Sequence, residues 1–242
     1  MKAMMTPEEG ASRVPPYKYD DDRQELIVYP KPTKPTDPSL PLVIGDCVHN
    51  YRSALDHLAF QLAVVNKSTL GADRIQFPIY AKPGKFKNFV KDNVAPFVSG
   101  PALAAIKRLQ PYETDYIPEN STLWCLSQLD IIDKHRLLVI VAQQIRPEFG
   151  TLTIPTGETF DFELPDAKWK TLEDGTELIR FDLSGAIKRP GKVHMKMTVA
   201  TTVHFAQTGL DIDDVPVPYI LGRFEERVTT LVDDFGKKFF GE

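Results

Sequence analysis

The chain has 242 residues, of which 42% are hydrophobic and 26% charged, the proportions of an ordinary globular protein long enough to bury a substantial core. Its formal net charge of −4 argues against a protein that coats nucleic acid or an anionic membrane, which carries a basic excess. No apolar run reaches the roughly 20 residues that span a bilayer, so no membrane partner is expected. The two cysteines and the lack of a secretory signal point to a reducing, cytoplasmic compartment.

Residues 1–38 are rich in proline and charge and predict an extended segment with one strand, at 26–29. Ser39, with Pro41 in the first turn, then caps a helix running to about residue 66. Its apolar positions 44, 48, 51, 55, 58 and 62 form one face of a 3.6-residue period. Two shorter helices are expected at 85–94 and 101–110, the second capped by Ser99. Lys82, Lys85, Lys87 and Lys91 read as a solvated face. After Pro111 and Pro118, Asn120 or Ser121 caps a long helix ending before Pro147.

From residue 151 the period changes to two. Phe160, Phe162 and Leu164 alternate with polar residues, as do Ile179, Phe181 and Leu183, and residues 174–175 form a turn signal. Over 192–205, Val193, Met195, Met197, Val199, Val203 and Phe205 share one face; His194, Lys196, Thr198, Thr202 and His204 take the other, wet face. Pro216 and Pro218 open an amphipathic helix over 216–240. The fold class is therefore α+β: one domain over 1–242, a bundle of about five helices (39–146 and 216–240) with an inserted antiparallel β-sheet, a meander over 151–206.

Two polar groups interrupt the apolar helices. On the first helix, His49, Arg52 and Asp56 fall within roughly 60° of one another at 100° per residue, so neighbours among them touch, whereas His57 points elsewhere. On the helix after 121, apolar nearly all round, Asp130 and Asp133 project from a core-facing stripe beside Lys134, His135 and Arg136. Burying an unpaired carboxylate costs several kcal/mol, so Asp130 and Asp133 need partners, and His49, Arg52 and Arg136 are the nearest in chemistry. The two helices are expected to pack through this cluster.

The run from Gly45 to Ala59, with the later Asp133-Lys134-His135-Arg136, resembles a group of uncharacterised bacterial proteins. Arg52 followed by His57 is also similar to the R-x4–6-H motif of the HEPN superfamily, helical bundles that include many metal-independent RNases and that dimerise to bring two motifs together. The resemblance implies RNA as substrate, a second copy of the chain as partner, Arg52 as phosphate clamp and His57 as acid–base group, with no cofactor. His49 and Asp56 join these as catalytic candidates, with Asp130, Asp133, Lys134, His135 and Arg136 as supporting residues. Two alternatives stand beside this reading. The cluster is a structural ion-pair network that fixes helix register, or it holds a metal through His49, Asp56, Asp130, Asp133 and His135. No phosphate-binding loop, nucleophile elbow or cysteine-nucleophile motif occurs.

Overall fold

Twenty-six residues, Leu40–Val65, form α1 in the computed structural model. The structure describes residues 17–20, 22–29, 37–68, 75–114, 117–135, 142–154, 156–168, 170–171, 177–184, 194–206, 208–213 and 215–241. The chain divides into two compact units, one drawn from residues up to 36 and from 142 to 203, the other from 37 to 141 and from 204 onward.

The second unit is helical. After α1 come α2 (Pro83–Asn93), α3 (Gly100–Arg108), the single turn α4 (Pro111–Thr114), α5 (Thr122–His135) and α6 (Val217–Phe235). The α1 stripe is buried at Ile44, Val48, Leu55, Leu58 and Leu62. It meets Leu123, Leu126 and Leu129 of α5 and the Ile220, Phe224, Val228 and Leu231 face of α6, because each helix has one apolar side to hide. No helix among the described residues is long and apolar enough to cross a membrane.

The caps follow the sequence in two of three places. Ser99 Oγ accepts the Ala102 N–H at 3.3 Å, and Ser121 Oγ accepts the Trp124 N–H at 3.1 Å. Ser39 does not cap α1. Its hydroxyl donates instead to Asp37 Oδ1 at 2.8 Å, and the same oxygen accepts the Ser39 N–H at 2.9 Å.

The predicted helix over 121–146 is corrected. α5 ends at His135 among the described residues, and Ala142–Thr153 is a strand, β3 in the numbering below. The apolar run 137–141, on which the longer helix rested, lies outside the described residues, and a short apolar run fits a strand as well as a helix. Pro147, expected to stop a helix, lies in β3 between the stretches that two neighbouring strands pair.

The first unit holds two sheets. The N-terminal segment carries two strands, not one: β1 (Tyr17–Asp20) and β2 (Glu25–Val28) form an antiparallel hairpin, and β6 (Ile179–Asp182) pairs with the far side of β2. In the other sheet β3 is central. It pairs with β4 (Thr159–Glu163), with the two-residue β5 (Lys170–Thr171) and with β7 (His194–His204). This is not the expected meander, since β6 leaves the sequence-adjacent strands to join β2. Leu26, Val28, Ile145, Leu152, Met195 and Met197 lie in one apolar cluster, with Phe162 and Phe181 ring to edge at 4.9 Å against it. In β7 the alternation holds over 194–197 and then fades, and His204, expected on the wet face, is fully buried. Val193 and the turn at 174–175 lie outside the described residues.

Gly150 of β3 has no room for a side chain. A Cβ there would meet the Lys196 carbonyl oxygen and lie 2.7 Å from Phe162 Cζ. Gly150→Ala is expected to destabilise the protein by about 1–3 kcal/mol, because backbone cannot yield as a flexible side chain does. Gly84→Ala, in the first turn of α2 where nothing lies within 4 Å, is expected to stabilise by roughly 0.5–1 kcal/mol. Denaturant unfolding of the two variants checks the opposite signs.

Candidate functional site

Between α1 and α2 an irregular segment carries Ile75, Phe77, Pro78 and Ile79 into the core of the helical unit. Burial takes its backbone away from water, so each polar group needs a protein partner. Asp56 and Arg52, one turn apart on α1, supply two. Asp56 Oδ1 accepts the Phe77 N–H at 2.8 Å, and Arg52 Nη2 donates to the Phe77 carbonyl at 2.9 Å. The same Nη2 sits 2.9 Å from Asp56 Oδ1, which closes a ring of three contacts. Gln110, fully buried after α3, holds the next residues: Nε2 donates to the Pro78 carbonyl at 2.8 Å and Oε1 accepts the Tyr80 N–H at 3.0 Å.

Fastened in this way, the segment forms one wall of a cleft of about 410 Å³. Arg52, Lys82, Lys85 and Lys134 bring positive charge to its lining, and Asp56, Asp130 and Glu119 negative charge. Tyr80, Phe89 and Trp124 give it aromatic surface, with the Tyr80 and Phe89 rings 5.5 Å apart. The size falls within the range of small-ligand sites.

Asp130 is the buried carboxylate of the site. Its Oδ2 accepts from Lys134 Nζ at 2.6 Å and its Oδ1 lies 3.1 Å from His49 Nδ1 on α1. The expectation that the two helices meet through a polar cluster is met at this contact, with His49 and not Arg52 as the partner across the seam. On the other ring edge, His49 Nε2 is 3.4 Å from Ser53 Oγ.

Burial pushes the Asp56 carboxyl up, with Asp130 adding to the rise, against the pull of Arg52 and of the Phe77 N–H. Asp133 is also raised, by partial burial first and then by the carboxylates of Asp130 and Asp46, while His49 and Lys134 oppose the rise.

Not every predicted residue joins the site. His57 is exposed, is not part of the cleft lining and has no hydrogen-bond or ion-pair partner among the described residues. His135 is exposed at the end of α5, Asp133 is only partly buried, and Arg136 lies outside the described residues. Among the described residues, no group of three or more His, Cys, Asp or Glu is placed to hold a metal ion. The sequence pattern gives no sign of Gln110 or the 75–80 segment, whose roles rest on long-range contacts with no periodic signal. It marks Lys82 and Lys85 as a solvated face and Trp124 as core, and all three line the cleft. Comparison of the chain with protein-family models, curated proteins and solved structures finds no match.

The raised carboxyl of Asp133 has a consequence for stability. Between its ordinary value of 3.8 and its higher native value, the folded protein binds more protons than the unfolded chain, so this group's contribution falls as pH rises through that window. Asp133→Asn removes the loss. The variant is expected to unfold at higher denaturant than the parent at pH 7.5, with the gap closing as pH falls toward 4; paired denaturation curves at the two pH values check it.

Proposed function

We propose that the cleft binds the phosphate of an RNA strand, without a metal, and that Arg52 grips it. The state of the Arg52 guanidinium carries this reading. Nη2 is engaged by Asp56 and the Phe77 carbonyl, while Nη1 is buried with no hydrogen-bond partner among the described residues. A buried donor left unpaired costs roughly 1–3 kcal/mol, and a ligand oxygen would relieve that cost. The guanidinium is already oriented by Asp56, so little freedom remains to be lost on binding, and charge-assisted bonds to phosphate are the strong class for arginine.

The surroundings support the same ligand. Lys82 and Lys85 are exposed, line the cleft and have no ion-pair partner among the described residues. Tyr80, Phe89 and Trp124 offer faces on which bases stack. RNA is the class that the resemblance of Arg52 and His57 to the HEPN motif implies. His57 lies off the cleft, so cleavage would require it to reach the phosphate from outside, the arrangement that a second copy of the chain would provide. The geometry supports the phosphate clamp further than it supports the acid–base pair.

The closed ring of Arg52, Asp56 and Phe77 favours a second reading, in which the ion pair only fastens the 75–80 segment. That reading leaves Nη1 without a purpose. The metal-dependent reading draws no support from the described side chains.

The test is fluorescence anisotropy with a labelled, mixed-sequence single-stranded RNA in EDTA. Arg52→Lys keeps the charge and loses the planar fork, and is expected to weaken binding about tenfold or more, near 1.4 kcal/mol. Lys82→Ala with Lys85→Ala is expected to weaken binding and to make the slope of log affinity against log salt shallower, by about 0.7 for each phosphate no longer neutralised. Absence of binding by the parent, or equal binding by all variants with unchanged circular dichroism, would defeat the proposal.

A further inference from the structure

We propose that Ser53, His49 and Asp130 form a second reactive centre, distinct from the phosphate clamp, in which Ser53 attacks the carbonyl carbon of an uncharged or cationic ester. His49 and Ser53 stand four residues apart on α1 and therefore on one face. Across the seam, the Asp130 carboxylate on α5 completes a chain of contacts: Oδ1 to His49 Nδ1 at 3.1 Å, then His49 Nε2 to Ser53 Oγ at 3.4 Å. This is the arrangement that nucleophilic catalysis by a hydroxyl needs, a base within reach of the nucleophile and a third group that orients the base.

The protonation pattern follows from the partners. Lys134 Nζ donates to Asp130 Oδ2 at 2.6 Å, which leaves Oδ1 to meet His49. An ionised carboxylate only accepts, so the imidazole carries its proton on Nδ1 and presents a lone pair at Nε2. That lone pair faces the Ser53 hydroxyl. Exposure is divided to match: the Asp130 side chain is 5% exposed and that of His49 53%, so the orienting group is shielded while the base is open to a substrate.

The neighbouring charge sets the substrate class. Asp46 stands three residues before His49 on α1, and Asp133 of α5 lies close enough to His49 and Asp46 for their charges to act on its carboxyl. Two further carboxylates beside the imidazole repel anionic substrates, favour neutral or cationic ones and stabilise the imidazolium formed in the reaction.

As the Oγ–C bond forms, the Ser53 proton passes to His49 Nε2. Collapse of the tetrahedral intermediate breaks the ester C–O bond, and the leaving alkoxide takes the proton from Nε2, giving acyl-Ser53 and an alcohol. Water then attacks the acyl carbon by the same route, which releases the carboxylic acid and restores Ser53. Asp130 is a positioning residue in this scheme.

Diisopropyl fluorophosphate tests the inference without knowledge of the natural ester. Its phosphorus bonds to Oγ as fluoride leaves, and the hydroxyl proton departs through His49. Intact-mass analysis is expected to show one diisopropylphosphoryl group per chain, mapped by peptide sequencing to Ser53 and absent from Ser53→Ala. His49→Gln, at an exposed position, is expected to slow labelling at least tenfold with unchanged circular dichroism. Asp130→Asn, which keeps the side-chain shape, is expected to slow it as well. No adduct at Ser53, or labelling at the parent rate in His49→Gln, overturns the inference. The Ser53 and His49 results are separable from RNA binding, because Arg52, Lys82 and Lys85 take no part in labelling and neither Ser53 nor His49 lines the cleft.

Discussion

The cleft depends on how two side chains of one helix hold the backbone of Phe77. A buried stretch of chain outside any sheet has no ladder to satisfy its N–H and C=O groups, and leaving them bare costs more than most packing contacts return. Arg52 and Asp56 meet that requirement together, donor to carbonyl and acceptor to amide, while their own opposite charges lie against each other. Gln110 repeats the device at Pro78 and Tyr80 with a neutral amide, which both donates and accepts. The wall of the cleft is thus an irregular segment fixed by side chains, and its shape follows from where those side chains stand on their helices.

Asp130 is the second constraint. A carboxylate in the seam between α1 and α5 is tolerated only with partners, and it has one from each helix, Lys134 on its own and His49 on the other. The pairing joins the helices at a defined register. It also holds the half-exposed imidazole of His49 one turn from Arg52, which lines the cleft. Arg52 and His49 lie three residues apart and serve different surroundings, the first a cleft with cations and aromatic rings, the second a more open place among carboxylates. The two proposals for this protein grow from that division.

Much of the helical unit was legible because its helices carry a one-sided apolar stripe: α1 and α6 bury the residues that their period selects, except Tyr51, which is only half-buried. The same helical phase placed His49, Arg52, Asp56 and Asp130 as a group worth attention. Legibility ended where the period was ambiguous or contact was remote. The helix over 121–146 was drawn too long because the apolar residues at 137–141 continue the pattern of α5, and a short apolar run does not separate helix from strand. β1 escaped notice because its apolar face is only Tyr17 and Tyr19, partly buried against the sheet cluster, and the rest of its hold is pairing with β2. His204 looked like the polar half of an alternation, yet it sits where β7 closes and is wholly buried. Phe77 and Gln110 meet α1 and the irregular segment over tens of residues of sequence, and no local pattern announces such contacts.

Amide hydrogen exchange of Phe77 tests the grip most directly. In the parent protein the Phe77 N–H, donated to a partly buried carboxylate, is expected to exchange slowly, at a rate close to that of the α1 core. In Asp56→Ala it is expected to exchange orders of magnitude faster while Leu55 and Leu58 amides keep their protection, showing that the segment has come loose from an intact helix. Unchanged protection of Phe77 in that variant would contradict the grip by Arg52 and Asp56, since packing alone would then hold the cleft wall in place.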